Sequence, residues 1–413
     1  MNKLYRGFFY LLLILLVLEG MSLLGLKTLD MVMPSTNILP KTDEIYEAQS
    51  LYTEKLLQSQ KGDKVSVLIL DADLGWRYRE NFTSSRDQIN TQGVRSNREY
   101  AEVAPDDMTR IAVFGDSFAY GSEVSNADTW TSQTEAIYPD LELLNYSVPG
   151  FGTDQAYLRY LRDGRALAPQ VVIIGFAPVN LRRAVNVYRR FISIEEHPLV
   201  KPRFILNEKD NLELVENPYK GESDYRRLLA TPQLVQELGQ HDYWYSSAVY
   251  ENPFYDWSAT IRLITNAAII INRKALDTDR LLVGNAFSGE QIFNDQSTAF
   301  RLQSKLLDKF YKTVKDAGST PVIMFFPAMD DIIRARSGSP TTYSPLVEYL
   351  NKYNLKYIDN IEAFTGLPDD QDISQLFAPG GHYSELGNRL VAEFAGKNFS
   401  TLNDTNLSGP SNP

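Results

Sequence analysis

The chain has 413 residues and a formal net charge of −11 at pH 7, and its length is enough for a large core. The acidic balance argues against nucleic acid as a partner. The sequence contains no cysteine, which excludes disulfides, thiol chemistry and thiolate-bound metals. An imidazole base has to be His197, His241 or His382, and the spacing of the three histidines matches no helical or strand pairing. We expect neither a metal nor a cofactor.

Residues 7–26, GFFYLLLILLVLEGMSLLGL, form an apolar run of the ~20 residues that a membrane helix needs. Lys3 and Arg6 precede the run, which places the N-terminus in the cytoplasm and the remaining chain on the other side. A cleaved signal peptide is the alternative, although no A-x-A-like site follows the run. Glu19 does not fit a membrane helix well, because placing a carboxyl group inside a membrane costs a few kcal/mol. We predict a membrane anchor at 1–29, followed by an extracytoplasmic part in the periplasm or at the cell surface.

The region 30–105 is predicted to be a linker and an N-terminal extension. Two prolines within 30–40 indicate the linker, hydrophobic spacing predicts a helix at 43–60, and an apolar run predicts a strand at 65–70.

From residue 106 to residue 402 the pattern alternates between strand and helix, as in an α/β fold. Several strands are continuous apolar runs, which are typical of parallel strands buried on both faces. The predicted strands are 111–114, 141–148, 171–176, 321–326 and 356–358. The predicted helices are 128–137, 154–167, 298–317, 344–353 and 384–394.

A long segment at about 185–297 interrupts this alternation. It is rich in Tyr, Arg, Pro and Asn and has weak periodicity, so we predict an insertion that contains some helices, including 232–238 and 258–271. The polar end at 403–413 is predicted to be disordered. The expected architecture is an α/β sandwich with an inserted subdomain.

Ser117 follows the first strand of the alternating region, in the stretch RIAVFGDSFAYG. Ligands of open α/β sheets bind beyond the carboxyl ends of the strands. A serine at that place is a candidate nucleophile if a base reaches it. The alternative is an ordinary turn, since Gly-Asp-Ser is common turn chemistry.

Three later loops supply the groups that a serine nucleophile needs. His382 lies on a glycine-rich loop before the last helix and is the candidate base. Gly150 follows the second strand and Asn180 follows the third, and their N–H groups suit an oxyanion. Taken singly, Gly150 would form a turn and Asn180 would cap a helix. The four loops together favour a catalytic site.

The order of GDSF, the Gly150 loop, the Asn180 loop and His382 resembles the SGNH/GDSL hydrolases over about residues 74–394. The stretches LGWRY, NTQGVRS and HYSELGN look closest to the membrane-anchored, extracytoplasmic SGNH-like proteins of bacterial surface-polysaccharide loci. The resemblance implies a flavodoxin-like three-layer αβα sandwich. It implies Ser117 as nucleophile, His382 as general base, and Gly150, Asn180 and the Ser117 amide as the oxyanion hole.

Pro379 is a departure from the family, which usually has an aspartate three residues before the histidine. His382 would then be oriented by a backbone carbonyl, as in a dyad, or by an acid from elsewhere, such as Asp370 or Asp372. A third alternative is that the chain has lost hydrolysis and only binds its ligand.

The predicted function is a serine carboxylester hydrolase that removes O-acyl groups, foremost O-acetyl, from an extracytoplasmic glycan. One alternative is an O-acyltransferase, which would need a membrane partner to present the acyl group. The other is a non-catalytic glycan-binding protein, to which the aromatic residues of the insertion would contribute.

Overall fold

The computed structural model describes residues 3–32, 38–60, 66–285, 289–368 and 370–402. The chain divides into two compact units. The first, which we call the helical unit, comprises Met1–Val65, Asn186–Val200 and Pro218–Arg280. The second, the sheet unit, comprises Ser66–Val185, Lys201–Asn217 and Leu281–Pro413. Part of the predicted insertion, Lys201–Asn217, thus belongs to the sheet unit.

A five-stranded parallel sheet forms the centre of the sheet unit. Its strands are β5 (Thr109–Phe114), β6 (Leu141–Asn145), β7 (Val171–Phe176), β12 (Thr320–Phe325) and β13 (Tyr357–Asp359). They lie side by side in the order β6-β5-β7-β12-β13. Every residue of the three adjoining strands β6, β5 and β7 is buried, which agrees with their largely apolar sequences.

Helices cover both faces of this sheet. Alternate residues of β5 point to opposite faces, as the strand period requires. Ile111 and Val113 belong to the cluster that holds Trp130 of α4 and Val391 of α14. On the other face, the Phe114 ring meets Tyr160 of α5 at 5.7 Å between centroids. The helices of the sheet unit are α3 (Ser117–Tyr120), α4 (Trp130–Ile137), α5 (Thr153–Asp163), α6 (Asn180–Ala184), α10 (Thr298–Asp316), α11 (Met329–Arg336), α12 (Ser344–Lys352), α13 (Ile361–Thr365) and α14 (Glu385–Leu402).

Four short antiparallel pairs lie outside the central sheet. They are β1 (Leu68–Asp71) with β2 (Gly75–Tyr78), β3 (Phe82–Thr83) with β4 (Gln88–Ile89), β8 (Arg203–Leu206) with β9 (Leu212–Val215), and β10 (Leu282–Val283) with β11 (Ile292–Phe293).

The described part of the helical unit contains α1 (Lys3–Val32), α2 (Thr42–Ser59), α7 (Glu222–Ala230), α8 (Ser247–Tyr250) and α9 (Ala259–Ile271). Within α1, Tyr5–Val32 is long and apolar enough to cross a membrane. Such a helix near the N-terminus is either a signal sequence or an anchor. It continues past residue 29, the predicted end of the anchor.

The predicted α/β class is confirmed, with a long apolar N-terminal helix and regions beyond the central sheet. The strand order, taken from the first strand in sequence, is 2-1-3-4-5, which is the flavodoxin-like order. Of the two helices predicted within the insertion, 258–271 corresponds to α9, whereas 232–238 falls in the 3₁₀ helix Pro232–His241. The predicted disordered end, 403–413, lies outside the described residues.

Candidate active site

Ser117 begins α3 directly after the tight turn that ends β5, at the switch point of the sheet. The Asp116 carboxylate caps α3 by accepting a hydrogen bond from the Phe118 N–H (2.9 Å). Gly115 is required in this turn, because a Cβ there would lie 2.6 Å from the Cβ of Ala119. The turn holds Ser117 at the edge where ligands of such sheets bind, with 6 % of the residue exposed.

His382 is paired with a carboxylate that the sequence analysis did not consider, Glu123. His382 Nδ1 lies 2.7 Å from Glu123 Oε2. The same carboxylate accepts hydrogen bonds from the backbone N–H groups of His382 (3.0 Å) and Gly380 (2.7 Å). Since an ionised carboxylate only accepts, Nδ1 carries the proton and Nε2 is left to act as a base.

Glu123 comes from the loop after the nucleophile, not from the segment before the histidine. Its φ of +72° lies in the left-handed region, which a glutamate seldom adopts. Such local strain persists when the surroundings fix the backbone. Here Arg95 does so, since its guanidinium donates hydrogen bonds to the carbonyls of Tyr120, Gly121 and Val124.

The pKa of Glu123 is lowered from its ordinary value of 4.5. Partial burial acts to raise this pKa, but the hydrogen bonds from the backbone and ring of His382 and from Gly380 outweigh it. Glu123 is therefore an anion at neutral pH, as the orienting acid of a serine site has to be.

Phe118 links the nucleophile to the histidine. Its ring contacts the His382 imidazole at 5.2 Å between centroids and the buried Tyr383 ring at 5.1 Å. Among the residues that the structure describes, Ser117 Oγ and His382 are not joined by a hydrogen bond. Sites without substrate are often looser than the reacting complex, so this geometry is compatible with proton transfer after substrate binds.

Two backbone N–H groups are available to an oxyanion. Within the described chain, neither the Ser117 N–H nor the Gly150 N–H has a hydrogen-bond acceptor. Gly150 has a φ of +84°, and a Cβ there would lie 3.3 Å from the Trp76 ring. Trp76 is fully buried and its indole N–H donates to the Pro149 carbonyl (3.1 Å). Trp76 thus supports the loop that presents the Gly150 N–H.

Asn180 is brought to the same place, but its amide is engaged with other protein groups. In the orientation that satisfies both ends, Nδ2 donates to Asp116 Oδ2 (3.2 Å) and to the Phe151 carbonyl (3.3 Å). Arg183 also donates to Asp116 Oδ2, at 3.1 Å. In this arrangement Asn180 and Arg183 hold the aspartate beside the nucleophile, which is a supporting role that differs from the predicted oxyanion donor.

The two acids considered as orienters of His382 do not take that position among the described residues. Asp372 caps the 3₁₀ helix Ile373–Leu376 by accepting from the Ser374 N–H (2.9 Å). Asp370 makes no contact with the imidazole in the described chain. The expectation of Asp370 or Asp372 is corrected to Glu123, because the loop 378–382 folds over that carboxylate.

The other two histidines, His197 and His241, belong to the helical unit. The residues that sequence reasoning missed are Glu123, Arg95 and Trp76. For Arg95 and Trp76 a signal existed, since both lie in the stretches NTQGVRS and LGWRY that carried the family likeness.

Neither a family model nor a curated relative matches the sequence. In structure, the chain is similar to GDSL-type lipolytic proteins and acylhydrolases over about 70 % of its length. A lipolytic protein of the G-D-S-L family from Veillonella parvula is 13 % identical, with 71 % of this chain and 98 % of that chain covered and a TM-score of 0.34. The lipase/acylhydrolase of Enterococcus faecalis is 14 % identical, with 71 % and 97 % covered and a TM-score of 0.31.

A third match is a two-domain esterase, CEX, active on acetylated mannans. It is 10 % identical, with 74 % of this chain and 52 % of that chain covered and a TM-score of 0.33. These likenesses concern the fold alone. None of the three descriptions mentions a surface-polysaccharide locus, so that closer resemblance stays a prediction.

Proposed function

We propose that the chain is a serine carboxylester hydrolase that removes O-acyl groups from an extracytoplasmic glycan. The observation that carries the proposal is the Glu123 carboxylate on Nδ1 of His382. It supplies the acid that the sequence lacks at Pro379 and so answers the main reason for the non-catalytic alternative.

In the proposed reaction, His382 Nε2 takes the proton of the Ser117 hydroxyl as Oγ attacks the acyl carbonyl. The Ser117 and Gly150 N–H groups stabilise the oxyanion that forms. The tetrahedral intermediate collapses, the bond to the sugar oxygen breaks, and His382 gives its proton to that oxygen. Water, deprotonated by His382, then releases the carboxylic acid and restores Ser117. Glu123 holds the ring and stabilises the imidazolium throughout.

The extracytoplasmic location is part of the proposal and is supported by the apolar helix and by Lys3 and Arg6 before it. On that side of a membrane acyl-CoA is absent, whereas O-acetylated glycans are esters that can serve as substrates. A transfer reaction shares the first half with hydrolysis, and product analysis with and without an acceptor glycan separates the two.

The test is the Ser117→Ala variant of the full chain in detergent, assayed with an aryl acetate. We expect kcat to fall by ~10³-fold or more, because the covalent step is lost. The matched control is Ser122→Ala on the same loop, which should keep the activity of the parent chain. Equal turnover by Ser117→Ala and the parent would refute Ser117 as nucleophile. Mass analysis of the quenched parent chain should show one acetyl group on the peptide that contains Ser117.

A further inference from the structure

Helix α9 of the helical unit has its polar and apolar faces reversed relative to a helix packed in water. Its buried residues are Ala259, Arg262 and Asn266, while Ile264 is 62 % exposed and Ile271 is also exposed. A surface helix of a globular protein places apolar residues inward and polar residues outward. The outer face of α9 is therefore suited to an apolar medium.

The buried polar residues of α9 are satisfied within the protein. The Asn266 amide donates to the Tyr255 hydroxyl (2.9 Å) and accepts from the Leu39 N–H (2.8 Å). Arg262 donates to the Asp256 carbonyl (3.2 Å). Because these polar side chains find partners within the protein, they do not require water on this side of α9, which suits a helix in contact with lipid.

Helix α9 lies along α1, the helix that is apolar enough to span a membrane. Glu19 accepts hydrogen bonds from the Ser258 hydroxyl and the Ala259 N–H at the start of α9. Further on, the hydroxyls of Ser22 and Thr260 lie 3.0 Å apart. From the first contact to the second, the residue numbers increase along both helices. Helix α9 therefore runs parallel to α1, beside its second half.

This contact also accounts for the carboxyl group within the apolar helix. Unpaired N–H groups at the start of a helix are costly in lipid, and so is an unpaired carboxylate. Glu19 and the start of α9 satisfy each other. With a rise of 1.5 Å per residue, Glu19 lies about 10 Å inside the end of the apolar run at residue 26. The start of α9 lies at the same depth.

The residues on either side of α9 are also suited to a membrane. Before it, Trp257 is 89 % exposed and Phe254 is exposed as well. After it, Lys274 is exposed, and a basic group at that end suits the phosphates of lipid headgroups.

We propose that α9 and the preceding residues 254–258 insert into the outer leaflet of the membrane that α1 spans, with lipid acyl chains covering Trp257 and Ile264 and the lipid headgroups surrounding Ile271. Helix α9 is then a membrane-inserted element that packs against a retained α1. This requires α1 to remain on the mature chain, since Glu19 and Ser22 are part of the packing. The proposal is independent of the ester hydrolysis and is tested without an activity assay.

Because the chain contains no cysteine, a single introduced cysteine can be spin-labelled without first removing native ones. Single-cysteine variants Trp257→Cys, Ile264→Cys and Ile271→Cys of the full chain are labelled with a nitroxide and reconstituted in nanodiscs of phosphatidylethanolamine and phosphatidylglycerol. The matched control is Leu386→Cys, an exposed apolar position on α14 of the sheet unit. Power-saturation measurements compare collisions of each label with oxygen, which concentrates in lipid, and with a water-soluble nickel chelate.

We expect the oxygen-to-nickel collision ratio at positions 257 and 264 to exceed that of the control severalfold, with an intermediate ratio at 271. Nickel accessibility equal to that of the control at 257 and 264 would overturn the proposal. So would low accessibility to both reagents, which indicates a protein partner or a second copy on this face. Recovery of a mature chain without α1 would overturn it as well.

Discussion

At the scale of single residues, one loop carries both the proposed nucleophile and the carboxylate that is paired with the proposed base. Ser117 begins it and Glu123 ends it, and Arg95 binds the backbone carbonyls on either side of Glu123. The carboxylate accepts three hydrogen bonds from the segment of His382. The imidazole tautomer therefore depends on Glu123, which leads to the first prediction.

Replacing Glu123 by glutamine should lower kcat by ~10²- to 10⁴-fold with little change in KM, because the amide no longer stabilises the protonated imidazole. The matched controls are Asp370→Asn and Asp372→Asn, at the acids expected from the sequence, and both should retain the parent kcat. Aryl acetate kinetics on the three variants decide the assignment. A large loss in either aspartate variant, with Glu123→Gln unimpaired, would reverse it.

Glu123 could not be predicted from the sequence for a physical reason. Its carboxylate reaches His382 only because the backbone adopts a positive φ, and nothing in Ser-Glu-Val indicates a left-handed residue. The places of Ser117, Gly150 and His382 in the fold were predictable because each follows an apolar run or lies on a glycine-rich loop, while their catalytic roles stay predictions. For Asn180 the place after β7 was predictable, but the hydrogen bonds of its amide to Asp116 and Phe151 were not, since these partners come from other loops.

At the scale of elements, the glycine-rich loop before α14 is shaped by the carboxylate it encloses. A Cβ at Gly380 would lie 2.5 Å from Glu123 Oε1 and 2.8 Å from Oε2. The Gly380 N–H donates to the same carboxylate. Since both partners of this contact are fixed in place, the loop has no room for a larger residue at this position.

Gly380→Ala should therefore displace Glu123 or His382 and lower kcat by ~10- to 100-fold, as misplacements of about 1 Å do. The matched control is Gly366→Ala at the end of α13, where the nearest atom to a Cβ is 3.9 Å away. Steady-state kinetics and thermal unfolding of both variants give the readout. An unchanged kcat for Gly380→Ala would show that the loop does not position the catalytic pair.

Some secondary-structure elements were predictable from the sequence and others were not. The five strands of the central sheet were all predicted. In β5, β6 and β7 the signal was a largely apolar run, which reflects burial on both faces, whereas β13 is only partly buried. The hairpin of β8 and β9 was missed, since its partly exposed short strands carry no such run. For α9 the position was predicted within an insertion of weak periodicity, and its reversed polarity appears only once its buried side is known.

At the scale of the whole molecule, the sheet unit contains a partly buried carboxyl whose ionisation opposes folding. Asp359 ends β13, and burial raises its pKa from 3.8 to about 6. Hydrogen bonds from the Ile361 N–H and the Tyr343 hydroxyl offset part of this effect, and the charges of Glu362 and Asp331 add to it. The folded state thus binds the proton more tightly than the unfolded state does.

The sign of the pH dependence follows from that difference. Between about pH 4 and pH 6 the folded chain holds a proton on Asp359 that the unfolded chain has lost, so this group lowers stability as the pH rises. Well above pH 6 the ionisation of Asp359 has its full effect and lowers the free energy of unfolding by at most about 3 kcal/mol. Asparagine cannot ionise, and its oxygen can still accept from Tyr343 and Ile361.

Asp359→Asn should therefore raise the unfolding temperature relative to the parent at pH 7.5 by more than it does at pH 4.5. Scanning calorimetry of the full chain in detergent at the two pH values measures this difference. Asp316→Asn, at the exposed end of α10, is the surface control and should shift the two temperatures equally. An Asp359→Asn shift that is the same at both pH values, or larger at pH 4.5, would contradict the raised pKa. The pH-dependent part of the shift is specific to the ionisation of Asp359, because a packing defect of the asparagine would act at both pH values alike.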